Sequence, residues 1–426
     1  MTPREAAQAI WQAALAAADV RPLVQRAMER LAVDLAPTGR VLVLGAGKAS
    51  GAMAAAVETL LGDRVEDGFV VVKDGYTVPT RRVRLVEAGH PVPDARGERA
   101  AAALLDRARA AGADDVVFML ISGGGSALLP APVPPVTLAE KRAVTQLLLA
   151  AGATITELNA VRKHLSLIKG GQLARAAAPA RVITLVLSDV IGDPLDVIAS
   201  GPTAPDSSTF RDAIAVLRKR EVWAATPAAV RARLEAGARG DLEETPKPGD
   251  RIFARVSHHV IGNNALVTDA AVARAAELGY RPTLLTRALE GEARNVAREL
   301  VARARALPPP ACLIAGGETT VTVRGPGRGG RCQELALAAA LALDGVDDVV
   351  VLAGGTDGTD GPTDAAGGFA DGTSATRSRA AGADPDAALA ANDAYAALAA
   401  TGDLLVSGPT HTNLLDLYLV LHGHCL

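Results

Sequence analysis

The sequence predicts an α/β protein: a mostly parallel sheet in a first domain, followed by a second α/β domain. Three observations lead there. Short, continuous apolar runs end in glycine-rich or acidic clusters, helical segments lie between several of them, and a polar break falls around residues 237–251. Apolar runs without alternation are the mark of strands buried on both faces, which parallel sheets covered by helices provide.

Taken in order, Ile10, Leu15, Leu23, Met28 and Leu31 recur at roughly helical spacing, so residues 4–35 read as amphipathic helices. Apolar runs follow at Val41–Leu44, Phe69–Val72, Val83–Val86, Val116–Ile121 and Val182–Leu187, with helical segments such as 50–61, 97–112 and 137–152 between them. The stretch "GARGDLEETPKPGD" has two prolines and no periodicity, and reads as a linker. It divides the chain into a domain of residues 1–242 and another of 252–426. The pattern resumes with runs at Val260–Ile261, Cys312–Ala315, Val349–Ala353 and Leu404–Val406, and a helix over 333–343. A chain of 426 residues exceeds what one core usually serves, which agrees with two domains.

Composition excludes several classes. Lysine plus arginine number 44 against 47 acids, a net charge of −3, so there is no basic excess for nucleic acid. Aromatic residues are only 3%, too few for base-stacking platforms. The three cysteines, Cys312, Cys332 and Cys425, have neither metal-site spacing nor the numbers of a disulfide framework. No apolar run reaches membrane-spanning length, and the first residues lack a secretory pattern. The expectation is a soluble, cytoplasmic protein acting on small molecules; monomer and homo-oligomer are both open.

The strand ends carry the chemistry. "VLVLGAGKASG" (41–51) runs from a strand through Gly45 and Gly47 into a helix, the geometry that binds phosphate at a helix N-terminus. Its third glycine, Gly51, comes one residue late for a dinucleotide fingerprint, and Lys48 occupies the turn. Asp74 is only a loose candidate for a ribose-binding acid. "SGGGS" supplies Ser122, Gly123, Gly124, Gly125 and Ser126, a candidate backbone nest for an anion. "SDVIGDP" places Asp189 and Asp193 after a strand, as magnesium ligands or a general base, or as cap and turn acids. "GTDGTDGPTD" offers Asp357 and Asp360 for metal or ribose, or for plain turn chemistry. Arg328 and Arg331 stand at a glycine-rich helix start, a phosphate site by charge, amides and dipole, or else a solvated hairpin tip. His90 sits in the proline-stiffened "GHPVPD", where packing competes with function. His422, His424 and Cys425 look metal-like, but at a chain end they are expected to fray.

Together the segments "GAGKAS" (45–50), "GHPVPD" (89–94), "SGGGSALL" (122–129), "LSDVIGDPLDVIASGPTAPD" (187–206), "GGETTV" (316–321), "GRGGRCQELALAAA" (327–340), "GGTDGTDGPTDAAGG" (354–368) and "SGPTHTNLLDL" (407–417) resemble the glycerate 2-kinase family, whose C-terminal half is the MOFRL domain. The likeness runs nearly end to end. It implies a Rossmann-like first domain, a MOFRL-type second domain and an active site in the cleft between them. It implies ATP and Mg²⁺ as cofactors, and phosphorylation of the 2-hydroxyl of D-glycerate to 2-phosphoglycerate with release of ADP. It points to Lys48, Asp189 and Arg331 as catalytic, with Glu334 among the substrate-site candidates. One departure is Cys332, where the pattern has asparagine. The competing readings are an NAD(P)H-dependent hydroxypyruvate reductase and a non-catalytic binding protein for nucleotides or sugar phosphates.

Overall fold

The computed structural model describes residues 1–31 and 39–424. Residues 32–35 of the expected N-terminal helices, and Cys425, lie outside the described residues. The chain forms two compact units, one of Val20–Ile261 and one of Met1–Asp19 with Gly262–Leu426.

In the unit of residues 20–261, six strands form one sheet: β1 (Val41–Ala46), β2 (Val65–Lys73), β3 (Val83–Ala88), β4 (Val116–Ile121), β5 (Arg181–Leu187) and β6 (Val256–Gly262), in the order β3-β2-β1-β4-β5-β6. This is the strand order of dinucleotide-binding sheets. The pairs β1–β2, β2–β3, β1–β4 and β4–β5 are all parallel. β1 and β4 are buried along their whole length, which explains why their sequences show no alternation. The parallel α/β expectation is borne out. The order reverses between β1 and β4, so the turns after these two strands leave side by side, where such sheets bind ligands.

Four helices, Leu138–Ala150, Ile155–His164, Phe210–Lys219 and Ala228–Arg239, pack around a second apolar centre that includes Val144, Leu148, Leu158, Phe210 and Leu234. Thr137, Thr154 and Thr209 cap three of them, each reciprocated by an acid three residues on.

The other unit holds β7 (Arg281–Leu289), β8 (Ala311–Gly317), β9 (Val349–Gly355), β10 (Gly367–Asp371), β11 (Leu404–Leu405) and β12 (Asp416–His422), in the order β11-β10-β9-β12-β8-β7. Here β12 runs antiparallel to both β8 and β9, and only β7–β8 is a parallel pair. This sheet is therefore mixed. Its central strand β12 ends at His422, so that residue does not fray: its ring bonds the Leu307 carbonyl at 3.0 Å. His424 pairs with Asp348 at 3.1 Å.

Two boundaries differ from the sequence division. The first helix, Pro3–Ala17, packs on Asn264–Glu277, β9 and β12, with Trp11 lying where a side chain on Gly354 would stand. The expected linker is pinned instead of loose. Thr245 donates to Asp206 at 2.9 Å, and Glu244 meets the His164 ring at 3.0 Å and the Phe210 amide at 3.0 Å. Buried polar partners hold this segment down, and the division falls at residues 261 and 262. Among the described residues no helix is long and apolar enough to cross a membrane.

Candidate functional site

At the ends of β1 and β4 the two glycine turns interlock. The Lys48 amide donates to the Gly123 carbonyl at 2.9 Å. Ser122 is fully buried, and its hydroxyl accepts from the Ala49 amide at 2.9 Å and lies 3.1 Å from the Ser50 hydroxyl. Ser122 thus holds the two turns together and does not face a ligand, a correction to its candidate role. Gly47 has φ +145°, and a β-carbon there would stand 2.1 Å from the Ser122 hydroxyl. Gly45 is in the same position against the Leu120 carbonyl, at 2.5 Å. Both glycines serve close packing. The proposed nest is incomplete too, because the Gly125 amide is directed to the Ser122 carbonyl at 3.3 Å.

The turn nevertheless gathers candidate side chains. A β-carbon on Gly124 would stand 2.9 Å from the His90 ring and 3.7 Å from Lys48 Cγ, so one glycine separates these two residues. Asp189 follows β5 directly, within a turn that Ser188 closes by donating to the Val190 carbonyl at 3.2 Å. Asp193 takes a left-handed backbone, φ 55°, and is half-buried like Asp189. Asp74 forms two bonds to Arg96, of 2.7 and 2.9 Å, so its carboxylate is already engaged.

Beside Gly124 opens a pocket of about 300 Å³, lined by His90, Ser126, Lys141, Arg142, Arg162 and Lys169 among others. Lys169 donates to the carbonyl and the hydroxyl of Ser126, at 2.7 and 3.1 Å. Burial lowers the pKa of Lys169 far below the usual lysine range, with Lys141 and Arg162 adding repulsion. Burial likewise takes Lys141 down to about 7, with Arg162 adding to it and Glu98 opposing.

In the other unit, Arg331 opens the helix Arg331–Ala342 and meets Asp416, the first residue of β12. Its Nε and Nη2 donate to the two Asp416 oxygens at 2.6 and 2.9 Å, and Nη1 lies 2.5 Å from Glu318. Burial alone would lower the pKa of Arg331, but Asp416 and then Glu318 raise it further above its ordinary value. Tyr418 donates to Asp416 at 2.9 Å and accepts from the Thr319 amide at 3.2 Å, completing a buried chain behind the arginine.

The rest of the expected phosphate site at this helix is used otherwise. Asp360 is buried, and its carboxylate accepts from the Gln333 amide at 2.8 Å, occupying the place an anion would take at the helix start. Burial pushes its pKa up to about 7; the Gln333 amide opposes this and Asp416 adds to it. Gly330 lies so close that a β-carbon there would stand 2.2 Å from the Asp360 carboxyl. Arg328 stacks over the Tyr395 ring, 4.9 Å from its centre. Glu334 is buried between Arg294, at 2.7 and 2.9 Å, and Asn392, at 2.8 Å, and so braces the fold. Cys332 packs in the apolar core beneath the helix, where burial raises its thiol pKa.

As to metal, the described residues contain no group of three or more histidines, cysteines and acids placed to hold a metal ion. Asp360 does not suit Mg²⁺, being capped by backbone and held toward its protonated form. Asp357 is buried and accepts from the Thr359 amide at 3.0 Å. Asp189 and Asp193 are the remaining acidic candidates; Mg²⁺ takes one or two carboxylates together with phosphate oxygens and water.

The sequence singled out Lys48, His90, Asp189 and Arg331 as candidates; the structure adds Lys141, Arg162 and Lys169, which line the pocket, and Asp416, which holds Arg331. Lys141 and Arg162 resemble solvated charges of their helices, and Lys169 a solvated charge of a turn. Asp416 did leave a signal: a lone acid opening the apolar run "DLYLVLH".

A family model described as a domain of unknown function, DUF4147, matches residues 6–235, and the MOFRL family model matches residues 311–416. The chain is similar to the D-glycerate 2-kinase of Thermotoga maritima, 45% identical over 390 residues that cover 90% of each protein. Human glycerate kinase is 37% identical over 498 residues, covering 99% of this chain and 93% of the human one. An Agrobacterium vitis relative with a provisional hydroxypyruvate reductase name is 45% identical, covering 99% of this chain and 95% of its own. The crystal structure of the Thermotoga maritima glycerate kinase matches with a TM-score of 0.85 at 42% identity, covering 98% of this chain and 99% of that one.

Proposed function

We propose that this chain, which belongs to the glycerate 2-kinase family, transfers the γ-phosphoryl group of ATP to the 2-hydroxyl of D-glycerate, giving 2-phosphoglycerate and ADP. The observation that carries this reading is the interlocked turn after β1 and β4. It holds Lys48 beside His90 and Gly124 at the strand ends, in a chain 45% identical to a D-glycerate 2-kinase.

Phosphoryl transfer asks for alignment and charge neutralisation more than covalent help. Lys48 is assigned to offset charge on the transferring group. Arg331 is assigned to offset the charge of an anionic substrate group, and its guanidinium is already oriented by Asp416 and Glu318, so little reorganisation accompanies binding. Asp189 orients the acceptor hydroxyl and takes its proton. Asp189 and Asp193 are the residues that would hold Mg²⁺, which when bound neutralises nucleotide phosphate charge. Reduced, buried Cys312 and Cys332 fit a cytoplasmic setting.

The reductase reading shares the strand order of dinucleotide-binding sheets but lacks a free ribose-binding acid among the described residues. Its ribose-binding candidate, Asp74, is tied to Arg96. The test is mass spectrometry of the product formed from D-glycerate and ATP with Mg²⁺. Formation of 2-phosphoglycerate with equimolar ADP is expected. Phosphate on the 3-position, or NADH oxidation with hydroxypyruvate and no ADP, overturns the reading.

A further inference from the structure

The pocket beside Gly124 contains an electrostatic problem. Lys141, Arg142, Arg162 and Lys169 line it, and none of its lining residues is a carboxylate. Lys141 is only 6% exposed, and its ammonium has no hydrogen-bond partner. Lys169 is 2% exposed and has two bonds, both to Ser126. Arg162 makes no hydrogen bond or ion pair among the described residues. Glu98 attracts Lys141 from outside the pocket but does not offset its burial, and buried cations with no bonded carboxylate oppose folding, so stability does not account for the cluster. A bound anion does.

The backbone beside the pocket is itself strained. Ala199 and Ser200 have φ of 51° and 63°, a region that non-glycine residues rarely adopt and that clusters at ligand sites. The Ser200 hydroxyl donates to Asn159 at 2.9 Å and lies 2.8 Å from the Ser126 hydroxyl. Ser200 has one proton and gives it to Asn159, so Ser126 donates to Ser200 and accepts from Lys169. The one proton of Ser126 is thereby committed within the protein, and an incoming anion meets the lysine and arginine cations.

We propose that this pocket is the acceptor subsite, where Lys141, with Arg162 and Lys169, holds the carboxylate of the small hydroxy acid. The inference rests on the phosphotransfer reading and adds to it the group by which the acceptor is recognised. A volume of about 300 Å³ is at the small end of ligand pockets and suits a compact acid better than a nucleoside triphosphate. Its neighbour Gly124 also touches the stem of Lys48, so a bound acid would lie near the cation assigned to the phosphoryl group.

The experiment compares the parent with Lys141→Met, which keeps the length of the side chain and removes the charge. KM for D-glycerate should rise roughly 10- to 100-fold, the usual cost of a lost charged hydrogen bond, while KM for ATP stays within twofold. Melting temperature should not fall, because an unpaired buried cation has been removed. A merely structural lysine would lower it. In the parent, D-lactate should compete with D-glycerate, while glycerol, which lacks the carboxylate, should not; this arm does not depend on any variant folding. If the parent phosphorylates D-glycerate, an unchanged D-glycerate KM in Lys141→Met, or competition by glycerol equal to that of D-lactate, overturns this inference and leaves the phosphotransfer reading standing. If the parent makes no phosphoglycerate yet D-lactate raises its melting temperature in a way that requires Lys141, the phosphotransfer reading fails and a carboxylate pocket is supported.

Discussion

Asp416 holds Arg331 along one edge of its guanidinium, accepting from Nε at 2.6 Å and from Nη2 at 2.9 Å. Asp416 pairs with Gly317 of β8 and Gly355 of β9, so the arginine is anchored to the middle of the sheet. A fork gripped this way cannot be replaced by a point charge. Arg331→Lys should therefore lower kcat by roughly a hundredfold, as loss of a preorganised electrostatic partner does. Asp416→Asn, which keeps the shape and one acceptor, should lose about tenfold or more. Steady-state kinetics decide the matter, and near-parental kcat in both variants removes Arg331 from the mechanism.

Lys48 is proposed to act on the phosphoryl group, so its loss should appear in turnover. Lys48→Ala is expected to lower kcat roughly a hundredfold or more with an unchanged melting temperature. Retained turnover would reduce Lys48 to a solvated lysine in a tight turn.

Ser122 has the opposite profile. Its buried hydroxyl satisfies the Ala49 amide, so Ser122→Ala should cost about 1–3 kcal/mol in urea unfolding. Gly47→Ala should be worse, since its β-carbon would stand 2.1 Å from the same hydroxyl on a backbone with φ +145°. A Ser122→Ala chain with parental stability and impaired substrate binding would return Ser122 to the ligand site.

Asp360 predicts a pH dependence. Its carboxyl titrates near 7 when folded and near 4 when unfolded. Between those values the folded chain keeps a proton that the unfolded chain has released, so this group's contribution to stability falls as pH rises from about 4 to about 7. Asp360→Asn should flatten that slope and be no less stable than the parent at pH 8, as measured by denaturant unfolding at several pH values. An unaltered slope assigns the effect elsewhere.

Lys141 gives a second slope of known sign. It titrates near 7 when folded and near 10.4 when unfolded. Below about 7 both states are charged and folding bears the full desolvation cost, which shrinks as pH rises and disappears near 10.4. The stability gained by Lys141→Met should therefore be greatest at or below pH 7 and fade toward pH 10. A gain independent of pH contradicts the assignment.

The sequence by itself determined the parallel sheet. β1, β4 and β5 are buried nearly throughout, so their runs are apolar apart from Thr184 of β5, and each ends in a turn that carries candidate site residues. It also determined the family, because segments such as "GAGKAS" and "SGGGSALL" pack against each other and tolerate few alternatives. Only the tertiary structure decided which charges are paired, buried or brought together. Asp360 caps a helix whose first residue lies 29 positions earlier, and Glu334 is saturated by Arg294 and Asn392. Lys141 and Lys169 share one pocket although 28 residues separate them. Strand signals are local and repeat along the chain, whereas the desolvation and pairing that make a charge functional depend on partners that folding brings from elsewhere. The strand β12 is visible as the apolar run "DLYLVLH" but is absent from the expected strands; its place in the middle of a mixed sheet is what no local pattern encodes.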